Sequence, residues 1–115
     1  MSAGLPSRGE IWSVDLDPVR GREQAGKRPA LVVATDVFNH GPAERVLLVP
    51  ITTKDKRIPL HVPVSPAESG LRERSFVKCE DLRSASRDRL AKRLGAVGAA
   101  TLAEVEDRLR ILLEL

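Results

Sequence analysis

A single cysteine, Cys79, stands in the chain. No internal disulfide and no thiolate metal cage can be built from it, and a reducing compartment is the simple reading. Tyrosine is absent, and Trp12, Phe38 and Phe76 are the only aromatic side chains. A protein that holds single-stranded nucleic acid mainly by base stacking uses more aromatics than this. Backbone charge and hydrogen bonds would therefore dominate any such contact. No apolar run approaches the roughly 20 residues of a membrane span. The opening MSAGLPSRGE has none of the apolar stretch of a secretory signal. The expected location is the cytoplasm. Internal repeats and low-complexity tracts are also missing.

What is present is an ordinary soluble composition, 42% apolar and 30% charged, in 115 residues. That length fits one domain, 1–115, with residues 1–8 expected as a flexible arm. The net charge of +3 and pI near 9.5 favour a polyanionic partner, although mildly.

Period-2 apolar patterning predicts strands over 10–17, 30–36, 45–53, 58–65 and 75–84. The first, EIWSVDLD, is read with one buried face. Pro50 suggests an edge, bulge or strand end, and Pro59 and Pro63 place IPLHVPVS at a sheet edge. VFNHGPAE and SPAESGLRE read as loops. SRDRLAKRLGAV reads as a short helical turn followed by a last strand near 94–97. Thr101 followed by Glu104 has the form of a capping box. Leu102, Val105, Leu109 and Leu112 recur at helical spacing after it, widened by Ile111 and Leu113. Short strands closed by one terminal helix predict a small, strongly bent β-sheet or barrel with a helix packed on it.

The segment GREQAGKRPA, residues 21–30, has the Gly…Gly-Lys frame of a phosphate-binding P-loop. A P-loop needs Ser or Thr after the lysine and a helix beginning there. Here Arg28 follows, and Pro29 pushes Arg28 into an extended conformation. The order is strand, loop, strand, which excludes the P-loop. What remains is a cationic loop with Arg20, Arg22, Lys27 and Arg28. Arg28 stands where the loop enters a buried strand, and a rigidly held guanidinium offers forked donors to phosphate oxygens.

RGEIWSVDLDPVRGREQAGKRPALVV, then VPITT, then FVKCEDLRS resemble the MazF/PemK family in order and spacing, over nearly the whole chain. The resemblance implies a mainly β fold with α, an SH3-like small β-barrel with a C-terminal helix, and a homodimer. It implies an mRNA interferase: a sequence-selective, metal-independent endoribonuclease toxin that inhibits translation and growth and is neutralised by a cognate antitoxin. In such a reaction the 2′-OH of the substrate attacks its own phosphate, leaving a 2′,3′-cyclic phosphate and a 5′-OH. No cofactor or metal is expected.

By position in the motif, Arg28 and Thr52 match the family's catalytic arginine and threonine. Arg28 is assigned to the charged phosphoryl oxygens and Thr52 to a hydrogen bond there. An arginine is effectively never neutral, so Glu23 is the candidate base, or the residue that orients Arg28. Arg22, Gln24, Lys27, Thr53, Lys54, Asp81, Arg83 and Ser84 are the candidate RNA contacts. Many members carry Gln at the place of Asp81. Gln both donates and accepts where Asp only accepts, so this departure bears on base selectivity. His40, His61, Asp15 and Asp17 are read as surface or structural residues. The same barrel also carries the CcdB-type toxins, which bind DNA gyrase and cut nothing. A non-catalytic nucleic-acid-binding module, or a degenerate toxin serving only as a partner, is a further alternative.

Overall fold

The computed structural model describes residues 4–15 and 27–115. Among these residues seven strands form one antiparallel sheet: β1 Glu10–Val14, β2 Arg28–Val32, β3 Arg45–Thr52, β4 His61–Val64, β5 Ser75–Lys78, β6 Arg83–Ser86 and β7 Leu90–Ala96. The order is β4-β5-β3-β2-β1-β7, with β6 paired to β3. The architecture is the expected mainly β class with a C-terminal helix, α3 Ala99–Leu113, although the strand order does not close into a complete ring.

Period 2 governs both faces of the sheet. Ile11, Leu31, Val49 and Ile51 belong to one buried cluster, joined by Val62, Val64, Val77, Cys79 and Val105 of α3. Trp12, Val14, Ala30, Val32, Val46, Leu48 and Ala85 form a second. β1 is thus buried on both faces, where EIWSVDLD suggested one. Ile11 sits across from the face that takes Trp12 and Val14, and a strand sandwiched this way loses its polar alternation.

The run 75–84 is broken. β5 pairs the end of β3 (Ile51↔Val77, Thr52↔Phe76) and β6 pairs its beginning (Leu48↔Arg83 to Arg45↔Ser86). Between them the register slips by the three residues of a 3₁₀ turn, Cys79–Asp81. Pro50 falls in the gap between these two ladders, so its missing N–H coincides with the interruption. Among the described residues β4 pairs with β5 alone, an edge strand as its prolines suggested.

Two segments read as loops contain four-residue helices, α1 Asp36–Asn39 and α2 Pro66–Ser69. Thr35 and Ser65 cap them, and Gly70 ends α2 with φ 81°. α3 does not begin at Thr101. Gly98 is its cap residue, and the Gly98 N–H donates to Glu68 Oε2 at 2.6 Å. A carboxylate supplied by α2 thus binds the helix start, where negative charge is favoured. Ala99 and Ala100, strong helix formers, and Thr101 then lie inside the helix, three residues more than a cap at Thr101 would give. Leu102 and Leu109 pack on the first core, while Ile111, Leu112 and Leu113 in the last turn are exposed.

The segment expected as an arm is tied down from Pro6 onward. His40 Nε2 donates to Pro6 O at 2.8 Å. Ser7 N–H donates to Glu10 Oε1 at 2.8 Å, and Arg8 N–H donates to Asp36 Oδ1 at 2.7 Å. Arg8 also bonds to Val33 O and pairs with Glu106.

Both carboxyls are held below their ordinary values. For Asp36 the main cause is the Arg8 N–H, with Asn39 assisting. For Glu10, burial raises the value, and hydrogen bonds from Trp12, Ser7 and Arg93 outweigh it. The stabilisation is therefore complete above the ordinary values of 3.8 and 4.5 and is lost as pH falls through the lowered ones. Hydrogen-exchange protection at Ser7 and Arg8 should fall in that acid range, before global unfolding. Protection that persists until the core itself unfolds would contradict this.

Candidate functional site

The face that carries the second core turns polar at one end. Along β2, Val32 and Ala30 are buried and Arg28, two residues further, is exposed. Along β3, Leu48 is buried, Pro50 is partly exposed and Thr52 follows. The β2–β3 register pairs Ala30 with Pro50, and carried two residues on it sets Arg28 opposite Thr52. Residues facing each other across an antiparallel pair project from the same side. Both line one groove of about 600 Å³, together with Lys78, Glu80, Asp81 and Arg83 from the β5–turn–β6 segment.

The local bonds in the groove are specific. Lys54 N–H donates to Thr52 Oγ1 at 3.1 Å. With one lone pair engaged in this way, the hydroxyl hydrogen is left to donate into the groove. Lys78 Nζ pairs with Asp81 Oδ2 at 3.0 Å. Among the described residues no ion pair engages Arg28. Pro29 lies in β2 opposite Ser13 of β1, so the backbone of Arg28 is fixed by strand pairing on the β1 side (Val14↔Arg28). An exposed guanidinium on a fixed strand end beside an outward hydroxyl is suited to bind a phosphoryl group and the negative charge that develops on it.

The candidate RNA contacts divide. Asp81 and Arg83 line the groove with Arg28 and Thr52. Thr53 and Lys54 are exposed just beyond it. Lys27 lines a separate depression with Asp15 and Arg89. Ser84 is exposed on β6, and its Oγ accepts from Arg45 Nε at 2.8 Å, so it faces away from the groove. The cause is simple: successive strand residues point to opposite sides, and Arg83 takes the groove side. Arg22, Glu23 and Gln24 lie outside the described residues.

Two residues that sequence reasoning left out of the site belong beside it. Lys78 and Glu80 line the groove. His61, read as surface or structural, is buried, and its Nε2 lies 2.8 Å from Glu80 Oε2. Glu80 could have been suspected as the neighbour of Asp81. Cys79, in the same turn, is buried in the first core. Burial, with Glu80 adding to it, pushes its thiol up to about 11, so at neutral pH it is a packing residue and not a nucleophile. Among the described residues, no group of three or more His, Cys, Asp and Glu side chains is arranged to hold a metal ion.

Residues 7–113 match the family model described as PemK-like, MazF-like toxin of type II toxin–antitoxin system. The chain is 39% identical over 114 residues to Endoribonuclease MazF9 of Mycobacterium tuberculosis, covering 94% of this chain and 96% of that protein. It is 29% identical over 112 residues to Endoribonuclease EndoA of Bacillus subtilis, covering 96% and 97%. Among solved structures, MazF of Deinococcus radiodurans in its complex with MazE superposes with a TM-score of 0.84 at 31% identity, covering 97% of this chain and 98% of that one.

Proposed function

The chain belongs to the PemK-like, MazF-like toxin family of type II toxin–antitoxin systems, and from that premise we propose that it is a sequence-selective endoribonuclease that cleaves single-stranded RNA without a metal. The observation that carries the reading is the convergence of Arg28 and Thr52, far apart in sequence, on one groove. Cleavage by the substrate's own 2′-OH needs no activated water. It needs a proton acceptor, stabilisation of the charged phosphorane and a proton for the 5′-oxygen. In this mechanism Arg28 presents its forked donors to the non-bridging oxygens, and Thr52 donates its hydroxyl hydrogen to the same centre. Glu23 is the candidate acceptor of the 2′-OH proton. Lys78 and Arg83 add positive charge along the path of the RNA backbone.

The partners proposed are single-stranded RNA, a second copy of the chain and an antitoxin. An extended acidic segment would complement Arg28, Lys78 and Arg83, the surface that RNA also needs. The solved complex of the Deinococcus relative with MazE supports an antitoxin partner. No helix among the described residues is long and apolar enough to cross a membrane. A cytoplasmic location remains part of the proposal.

The test uses purified protein, freed of any antitoxin, with a long RNA in excess EDTA. Discrete cuts at a recurring short sequence are the expected result. Intact RNA after prolonged incubation with folded protein would overturn the reading.

A further inference from the structure

The row of side chains that begins with Arg28 and Thr52 does not end there. In the β3–β5 ladder Ile51 pairs with Val77 and Thr52 with Phe76. Ile51 and Val77 lie in the first core, so Thr52 and Phe76 project from the other face, the one that carries the groove. Lys78, two residues along β5 from Phe76, lines that groove. β4 continues the row with Pro63, which pairs with Phe76 and is exposed. Neighbouring strands stand about 4.8 Å apart. Phe76 is therefore one strand beyond Thr52, within reach of a nucleotide whose phosphate sits at Arg28 and Thr52.

The Phe76 ring is not itself open to a ligand. The residue is 7% exposed, and the guanidinium of Arg74 lies over the ring, 5.1 Å from its centroid. Arg74 is exposed, and among the described residues no ion pair engages it. An unsupported arginine loses rotamer freedom when it takes a ligand. Seated on Phe76, Arg74 is ordered before any ligand arrives. A guanidinium stacks on aromatic faces through its plane, and unstacked bases of single-stranded RNA are received on such planes. Phosphates have other partners here. Lys54, whose N–H donates to Thr52, and Lys78 in the groove wall supply compact positive charges for them.

We propose that Arg74, backed by Phe76, is a stacking subsite for the base of one nucleotide next to the cleaved bond. Arg74 touches the base, and Phe76 acts through Arg74 as a positioning residue. Every base has a π-face, so the subsite holds a base without reading its identity. This rests on the reading of the groove as an RNA-cleaving site.

The experiment uses a short RNA that spans a mapped cut, and copies of it in which one nucleotide at a time near the cut is abasic. Cleavage at subsaturating protein is compared for wild type, Arg74→Ala, Arg74→Lys and Phe76→Leu, with thermal unfolding as the folding control. Arg74→Ala should cut the intact RNA about five- to a hundredfold more slowly, the usual worth of one base stack. At one position flanking the cut, removing the base should slow wild type by a similar factor and leave Arg74→Ala nearly unaffected. Arg74→Lys keeps the charge and lacks the plane, so it should behave like Arg74→Ala. Phe76→Leu should lose part of the effect at that same position alone. Arg74→Ala or Arg74→Lys cutting intact RNA at the wild-type rate would overturn the proposal. So would an Arg74→Ala loss that is equal on the intact RNA and on every abasic copy, which marks a contact to the backbone. A wild-type protein that cuts no RNA would instead overturn the ribonuclease reading beneath it, and that result is distinguishable because it precedes any variant.

Discussion

Arg28→Ala is expected to lower RNA cleavage by about 10²–10³-fold, the usual cost of removing one preorganised donor from a site of developing negative charge. The effect should lie in catalysis and not in folding. Arg28 is exposed at the start of β2, and among the described residues no carboxylate pairs with it. Exposed substitutions of this kind change stability within about 0.5 kcal/mol. Arg28→Lys should recover only part of the loss, because an ammonium supplies charge without the planar fork. Single-turnover rates for the three proteins, with thermal unfolding as the folding control, check this. A folded Arg28→Ala protein of near wild-type rate would remove Arg28 from the mechanism.

The largest effect on stability is expected at a glycine far from the groove. Gly95 lies in β7 opposite Ile11 of β1, and the end of α2 rests on it. A Cβ there would stand 1.8 Å from the backbone oxygen of Ser69 and 2.8 Å from its carbonyl carbon. The obstacle is backbone, so no side-chain rotation relieves it. Ser69 is fully buried and its Oγ bonds to Ser65 O, which leaves α2 little room to retreat. Overpacking of this kind costs about 1–3 kcal/mol and occasionally more, and Gly95→Ala should sit at the upper end. For a domain of this size the melting temperature should fall by about 10 °C or more. The same displacement would move Glu68, which binds the start of α3 through Gly98. An unchanged melting temperature would mean that α2 does not rest on β7.

These two positions also mark what the sequence reveals. Arg28 was legible because Lys27-Arg28-Pro29 precedes a β-branched run, which fixes an extended arginine at a strand start. Its meeting with Thr52 follows from antiparallel pairing once the strands are placed. The strands themselves were legible wherever apolar residues alternate, and β4 as an edge followed from Pro63. The helix was legible from Leu102, Val105 and Leu109. Its start was not, because Thr101 and Glu104 imitate a capping box while the actual partner, Glu68, comes from a distant segment. Nor was its exposed last turn, since periodicity does not tell how far the body beneath a helix extends.

Other features depend on contacts that no local pattern carries. Gly95 is required by Ser69, 26 positions earlier in a segment read as loop. That segment did hold a signal. Ser65, Pro66, Glu68 and Gly70 have the cap, first-turn proline, capping-box acid and left-handed end of a helix, set around a helix of four residues. His61 and Glu80 meet only because β4 pairs with β5 and a three-residue turn follows. A lone histidine in a proline-broken strand gives no hint of that.

The most direct test of the central claim is the chemistry of the cut ends. RNA treated with wild-type protein in EDTA should carry 2′,3′-cyclic phosphates on the upstream fragments and 5′-OH groups on the downstream ones, with both absent after matched treatment with Arg28→Ala. Ends bearing 5′-phosphate and 3′-OH, or cuts of equal yield in the variant, would contradict 2′-OH attack at a phosphate held by Arg28.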